Sequence, residues 1–285
     1  MCTYRLCQRI VRHQFQYHPT PSDGYRHPRI TYESICVNTP LYLAYLVSQL
    51  EATQRISFHQ VDTVPSLASL FADPSLRDIP DSQLLVINAS GLGARYLSDV
   101  SDDQVYAIRG QTVLMRGPPS FSESPECIMS LTEDKSHEPI YIIPRGASGE
   151  VILGGTFGAD EWEAEVKDAD TQRILRRCFE ICPRLLDRQK SDGAATAAAL
   201  DAEEWKGLYD QVISVNVGLR PARKGDVTRV ELDAVKVAAH SPNSTPSLRP
   251  VLHCYGAGKA GFQGSVGIAH EVLELVQGHF DALAS

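Results

Sequence analysis

Four short segments hold the residue types from which a reaction centre could be built. The first, Tyr255-Gly256-Ala257-Gly258-Lys259-Ala260-Gly261, has a GxGxxG spacing between an apolar strand and a helix. Free N–H groups and the positive end of a helix dipole would aim at whatever lies above Gly261, which suits a group that gains negative charge during a reaction. A dinucleotide pyrophosphate is not the expected guest. That fingerprint opens a βαβ unit with an acidic residue about 20 positions on, and only one helix follows here. Tight strand-to-helix packing explains the glycines equally well.

The second segment, Asn88-Ala89-Ser90-Gly91-Leu92-Gly93-Ala94, follows an apolar run and by itself reads as a strand-end turn. The third, Val215 to Arg223, places Arg220 at the end of an apolar strand beside Pro221. A guanidinium there can form a two-point pair with a carboxylate, or a structural ion pair with one of the 35 acidic residues. The fourth, Pro139 to Arg145, alternates Tyr141 with apolar neighbours. Its phenol could sit beside the same carboxylate, although a strand tyrosine is more often core or rim.

Other chemistries lack their residues. There is no Walker loop, no GxSxG elbow and no HExxH, and the nine histidines show no metal-ligand spacing, so no metal is expected. The net charge of −8 disfavours a nucleic-acid partner, which requires a basic face. No apolar run approaches the length that a bilayer demands, and the opening MCTYRLCQRIVRHQF has no signal-peptide core. Seven cysteines without a CxxC pair point to reduced thiols and an intracellular chain, with Cys178 and Cys182 packing as small apolar residues of a helix.

The elements that must position these segments follow from periodicity. Residues 1–35 show no clean period. Thr39 reads as N-cap and Pro40 as first residue of a helix with Leu43, Leu46, Val47 and Leu50 on one face. Ile56 to Val61 alternates like a strand, Ser66 to Phe71 reads as a short helix, and Leu84 to Ala89 as a buried strand. Strands are expected at Gln111 to Met115, Ile140 to Ile143 and Val151 to Leu153, the last two joined as a hairpin through Arg145 to Gly149. A helix capped near Asp168 or Asp170 presents Ile174, Cys178, Ile181 and Cys182 and stops at Pro183. Strand Val212 to Leu219, an exposed loop from Ser241 to Pro250, strand Val251 to Tyr255 and a helix with Ala269, Val272, Leu273 and Val276 on one face complete the chain. This is an α/β (α+β) pattern: an α/β layer in separated segments, with a largely antiparallel sheet inserted between them.

Taken in order, LLVINASGLGARYL (84–97), YAIRGQTVLM (106–115), PIYIIPR (139–145), VILGGTF (151–157), NVGLRPARKGDVTRVE (216–231) and HCYGAGKAGFQGSVGIAHEVLELV (253–276) resemble the D-amino-acid oxidase family in its fungal form. A weaker match covers residues 30–51. The resemblance implies an FAD-binding Rossmann-like domain, here incomplete, in segments 36–106 and 248–285, and a mixed-sheet substrate domain over 107–247, after an irregular segment 1–35. It implies hydride transfer from the Cα of a D-amino acid, or a related amine, to flavin N5, with oxygen as second substrate and an imino or keto acid, ammonia and hydrogen peroxide as products. Arg220 would clamp the substrate carboxylate with help from Tyr141. The carbonyl near Lys259 would accept from the substrate amine, and Gln263 would lie by substrate or flavin. FAD contacts would come from Val61, Ser90, Gly91, Arg109, Gly110, Gln111, Gly256, Gly258, Ala260, Gly261, Phe262 and Gln263.

The sequence departs from the family pattern at Phe157, where several fungal members have tyrosine, and at Lys259, where a small residue is usual. Lys259 could alter substrate preference or swing to solvent. The opening strand and GxGxxG that hold the ADP half of FAD in family members have no counterpart in residues 1–40. The expectation is therefore a truncated sequence, or a catalytically silent homologue that binds a small carboxylate or a partner protein. The final Leu283-Ala284-Ser285 is not a peroxisomal address, so both cytoplasm and peroxisome stay open, as does a homodimer.

Overall fold

The structure, a computed structural model, describes residues 16–19, 29–31, 36–76, 79–119, 121, 127–131, 138–145, 148–186, 203–238 and 246–284. In chain order the elements are β1 (Gln16–His18), β2 (Arg29–Thr31), α1 (Thr39–Ala52), α2 (Leu67–Leu70), β3 (Val86–Asn88), β4 (Val105–Arg116), β5 (Ile128–Leu131) and β6 (Pro139–Pro144). There follow β7 (Glu150–Gly154), β8 (Gly158–Ala159), α3 (Asp168–Ile181), β9 (Val212–Arg223), β10 (Arg229–Val237), β11 (Ser247–Tyr255) and α4 (Gly261–Ala284). Two compact units result: residues 1–57, 110–157 and 164–218, and residues 58–109, 158–163 and 219–285.

In the first unit β5, β6, β7 and the second half of β4 form an antiparallel sheet, with Ile142 opposite Leu153 and Leu153 opposite Val113. Period-two alternation turns Val113, Met115, Ile140, Ile142, Val151 and Leu153 to one face, where all are buried. α3 covers that face with Ile174, Leu175, Cys178 and Phe179. Burying each such side chain stabilises the unit by roughly 1.5–3 kcal/mol. Asp168 and Asp170 lie in the first turn of α3, where the dipole favours them, although the N-cap position is Lys167. Its backbone is held by Gln111: the Lys167 N–H donates to Gln111 Oε1 (2.9 Å), and Gln111 Nε2 donates to the Lys167 carbonyl and to Thr171 Oγ1 (2.9 Å each). The helix stops where Pro183 can donate no N–H. Cys178 and Cys182 are fully buried and pack as expected. Burial pushes the Cys178 thiol up to about 12.

In the second unit β10, β11 and β3 form a sheet. β10 and β11 pair antiparallel from Arg229–Tyr255 to Val237–Ser247, and β3 joins β11 in parallel, Val86 opposite Val251. Leu67, Leu97, Val235, Val237 and Val251 are its apolar core. The first half of β4 pairs with β8, Ile108 opposite Ala159. α2 is capped twice over: Ser69 N–H donates to the Ser66 hydroxyl (3.1 Å), and Leu67 and Ala68 N–H donate to the Asp99 carboxylate at 2.9 and 2.8 Å.

The fold class is α/β, as the sequence pattern indicates, and several element expectations need correction. Ile56 to Val61 is not a strand but an exposed irregular stretch, with no ladder partner among the described residues. Asn38, not Thr39, is the N-cap of α1, and Leu43, Leu46, Val47 and Leu50, which share one face of it, are exposed. On α4, Ala269 and Leu273 point to solvent, whereas Val272 and Val276 are half-buried. Residues 247–250, expected in a loop, form the first half of β11. β10 was not anticipated, nor were β5, β8 and the small β1–β2 pair. Of the segment expected to be irregular, residues 1–15, 20–28 and 32–35 lie outside the described residues, as do 146 and 147 of the β6–β7 turn.

Candidate functional site

Three of the four segments converge within the second unit. Gly91 opens the turn after β3 at φ +60°, a conformation that costs glycine little. A Cβ added there would stand 3.4 Å from the Pro221 side chain. Gly258, at φ +56°, faces Ala222, with a Cβ separation of 3.5 Å. Ala222 and Ala257 form an antiparallel bridge. The turn after β3, the end of β9 and the turn into α4 therefore share one corner, although 130 or more residues separate the first from the other two. Arg220, half-buried, precedes Pro221 in that corner. With Pro221 turned toward Gly91, strand alternation turns Arg220 to the other side of β9.

A buried polar network ties these segments to the sheet. Asp102 Oδ2 accepts from the Tyr255 hydroxyl (2.8 Å) and from Arg223 Nε (3.0 Å), while Oδ1 accepts from the Gln104 N–H (3.0 Å). Burial alone would raise the Asp102 carboxyl; donation from Tyr255, Arg223 and Gln104 outweighs it and holds the group below the usual carboxylate range. Arg229 Nη1 donates to the Tyr255 oxygen at 2.8 Å, so the phenol passes its own proton toward Asp102. Beside it, Ser90 N–H donates to Asn88 Oδ1 (3.2 Å), which leaves the Asn88 amide to donate to His253 Nδ1 (3.1 Å). The imidazole proton then rests on Nε2, 3.5 Å from Asp233. Burial, with the Arg229 charge adding to it, pushes His253 below the ordinary histidine value and keeps it neutral.

The fourth segment lies in the first unit. On β6, Ile140 and Ile142 are buried in the core, so Tyr141 stands on the opposite, half-buried face. Tyr141 is paired across the ladder with Gly154, and its ring covers both Gly154 and Gly155, leaving no room for a Cβ on either. Gly154→Ala should therefore displace the Tyr141 ring and destabilise this unit by about 1–3 kcal/mol, the usual cost of overpacking. A lowered urea midpoint checks it. Gly278→Ala is the contrast: nothing lies within 4 Å of that position in α4, so helix propensity alone should leave the midpoint equal or raised.

Residues 30–275 match the family described as FAD dependent oxidoreductase. The chain belongs to this family. Among curated relatives, the chain is 33% identical over 260 residues to a D-aspartate oxidase of Cryptococcus neoformans var. grubii, covering 86% of this chain and 63% of that protein. It is 29% identical over 249 residues to a D-amino-acid oxidase of Fusarium vanettenii, covering 86% and 58%. A D-amino-acid oxidase of Schizosaccharomyces pombe is 30% identical over 244 residues, covering 84% and 57%. The chain thus spans about three-fifths of the length of these relatives. Among solved structures, glycine oxidase from Geobacillus kaustophilus matches at a TM-score of 0.46 and 16% identity, over 68% of this chain and 41% of that one.

For a member of the FAD-dependent oxidoreductases, the fit of the residues to the cofactor can be judged in the second unit. Ser90, Gly91, Gly256, Gly258, Ala260 and Gly261 belong to the shared corner, where the positive-φ glycines at 91, 256 and 258 pack against Pro221, Arg223 and Ala222. Phe262 and Gln263 are exposed at the start of the 24-residue helix α4. These are the residues that would hold one edge of the flavin. Val61 is 63% exposed on the irregular stretch. Arg109 is buried and its Nε donates to the Glu163 carbonyl (3.0 Å). Gln111, with Gly110 in the first unit, gives its side-chain amide to the α3 N-terminus and its N–H to Thr156 Oγ1 (2.8 Å). Lys259 takes the solvent alternative, with Nζ 3.6 Å from the Asp226 carboxylate and both groups exposed.

Sequence reasoning passed over Asn88 and His253 as a pair, and over Asp102, Arg223, Arg229 and Tyr255. Their contacts join positions up to 165 residues apart, for which no local spacing rule exists. Among the described residues no group of three His, Cys, Asp or Glu could hold a metal ion. No helix among them is long and apolar enough to cross a membrane.

Proposed function

We propose that this chain carries the substrate-facing part of an FAD-dependent oxidase acting on D-amino acids. The observation that supports it most is the convergence of the Ser90-Gly91 turn, the Arg220-Pro221 strand end and the Gly256 to Gly261 turn at one corner of the second unit. When bound, FAD would accept the hydride from the substrate Cα, with molecular oxygen as final acceptor and hydrogen peroxide as product. Arg220 binds the substrate carboxylate by two parallel hydrogen bonds. The carbonyl near Lys259 accepts from the substrate amine, and the resemblance assigns the Tyr141 hydroxyl to substrate binding. Together these contacts orient the Cα–H toward the acceptor, which is the main service a protein renders to such chemistry. The N–H groups at the start of α4 would stabilise the negative charge that a flavin edge gains when it is held there. Phe157 lacks the hydroxyl found in several family members, and Tyr141 supplies the phenol in its place. The curated relatives include oxidases of both D-aspartate and D-amino acids. Lys259 lies outside the carboxylate grip in this reading, because Asp226 already engages it.

The test is a titration of the purified chain with FAD, followed by visible absorbance and quenching of flavin fluorescence, then peroxide release with a panel of D-amino acids. Bound flavin with peroxide release supports the reading. Flavin that stays free at every protein concentration would sink it in favour of a silent homologue that binds a carboxylate or a protein.

A further inference from the structure

Asp102 occupies a place in the second unit that its family resemblance does not explain. It is 8% exposed, follows closely after the Ser90-Gly91 turn but is remote in sequence from the other two segments, and is the common acceptor for both of those. Arg223, its first donor, closes β9 three residues after Arg220. Arg223 also packs against Gly256, whose added Cβ would stand 3.0 Å from the Arg223 side chain. Tyr255, its second donor, is the last residue of β11 and immediately precedes Gly256. The loop holding Asp102 is fixed in turn: Asp102 N–H donates to the Ala94 carbonyl (3.2 Å), and Lys224 N–H donates to the Gln104 carbonyl (3.0 Å). One carboxylate thereby joins the strand end with Arg220 and the turn that enters α4, while the backbone N–H of the same residue anchors it to the turn after β3.

We propose that Asp102 is a positioning residue, which sets the Arg220 end of β9 and the Gly256 to Gly261 turn in register with each other. This rests on the Arg220 clamp described above. A buried acceptor shared by an arginine and a phenol is costly to remove, because both donors are then left unmatched in a poorly solvated site. The strand end and the turn are expected to drift apart rather than to unfold, since β10–β11 pairing and the core at Val235, Val237 and Val251 do not depend on Asp102.

The experiment compares Asp102→Ala, Asp102→Asn and Arg220→Ala in the full chain, reading the FAD dissociation constant, and KM and kcat per bound flavin with D-alanine. Asp102→Ala should raise KM at least tenfold and weaken FAD binding at least threefold, with kcat per bound flavin changing less than threefold. Asp102→Asn keeps the shape and one acceptor oxygen, so it should fold in any case and show the same pattern at smaller size. A merely structural carboxylate would lower the folded fraction and leave KM and the FAD dissociation constant of the folded protein unchanged, which overturns the proposal. The two readings fail separately. Unchanged KM in Arg220→Ala removes the clamp itself, whereas raised KM in Arg220→Ala beside normal values in both Asp102 variants removes only the positioning role.

Discussion

Arg220→Ala is expected to raise KM for a D-amino acid by between about 30-fold and several thousand-fold, with FAD still bound. Truncating one partner of a hydrogen-bonded charge pair costs about 2–5 kcal/mol, because the remaining carboxylate loses both its counter-charge and its two donors. Arg220→Lys should recover only part of this: the ammonium restores charge but cannot present the planar two-point fork. Steady-state kinetics, with bound flavin measured from its visible absorbance, check both variants. A KM near the wild-type value in Arg220→Ala would mean that the carboxylate is held elsewhere.

Glu138→Ala should strongly destabilise the first unit. Glu138 is 8% exposed and accepts from Arg177 Nη1 (2.9 Å), Arg173 Nη2 (3.2 Å) and the Phe157 N–H (3.3 Å). Arg173 is half-exposed and water can solvate it, so the loss there is small. Arg177 is enclosed, its side chain 10% exposed, and would lose its Glu138 counter-charge in a poorly solvated site. Breaking a buried pair in this way costs about 3–5 kcal/mol. Glu138→Gln keeps an acceptor for Arg177 and should cost less. Urea unfolding of both variants, followed by far-UV circular dichroism, measures the difference. The effect should extend to Tyr141, since Glu138 immediately precedes β6.

Much of the fold could be read from period and punctuation. α3 was legible because its apolar residues repeat at helical spacing and Pro183 ends it; the β6–β7 hairpin was legible from two alternating runs around a turn-rich loop. β10 was not, for a definable reason. Its buried residues Val235 and Val237 share a face with Arg229, Glu231 and Asp233, of which Arg229 engages Tyr255, Asp233 faces His253 and Glu231 pairs with Arg229, while Val230 and Leu232 lie on the other face. No single apolar face exists along that strand, so alternation gives no clear signal. The opposite error occurred at Ile56 to Val61, where alternation without a neighbouring strand produced no ladder. For the candidate site, the glycine turns and Arg220 announce themselves through residue type. Asp102 does not, because an aspartate after a surface turn looks the same whether or not an arginine from position 223 closes over it.

The sulfur at Cys178 gives the first unit an internal clock. Its thiol lies 3.8 Å from the Gly154 carbonyl and 3.7 Å from that of Tyr141, fully enclosed and with almost no thiolate at neutral pH. Thiolate is the species that reacts with alkylating dyes and with peroxide. Cys178 should therefore survive the peroxide that turnover would release, and take up a dye only as quickly as the strands beneath it part.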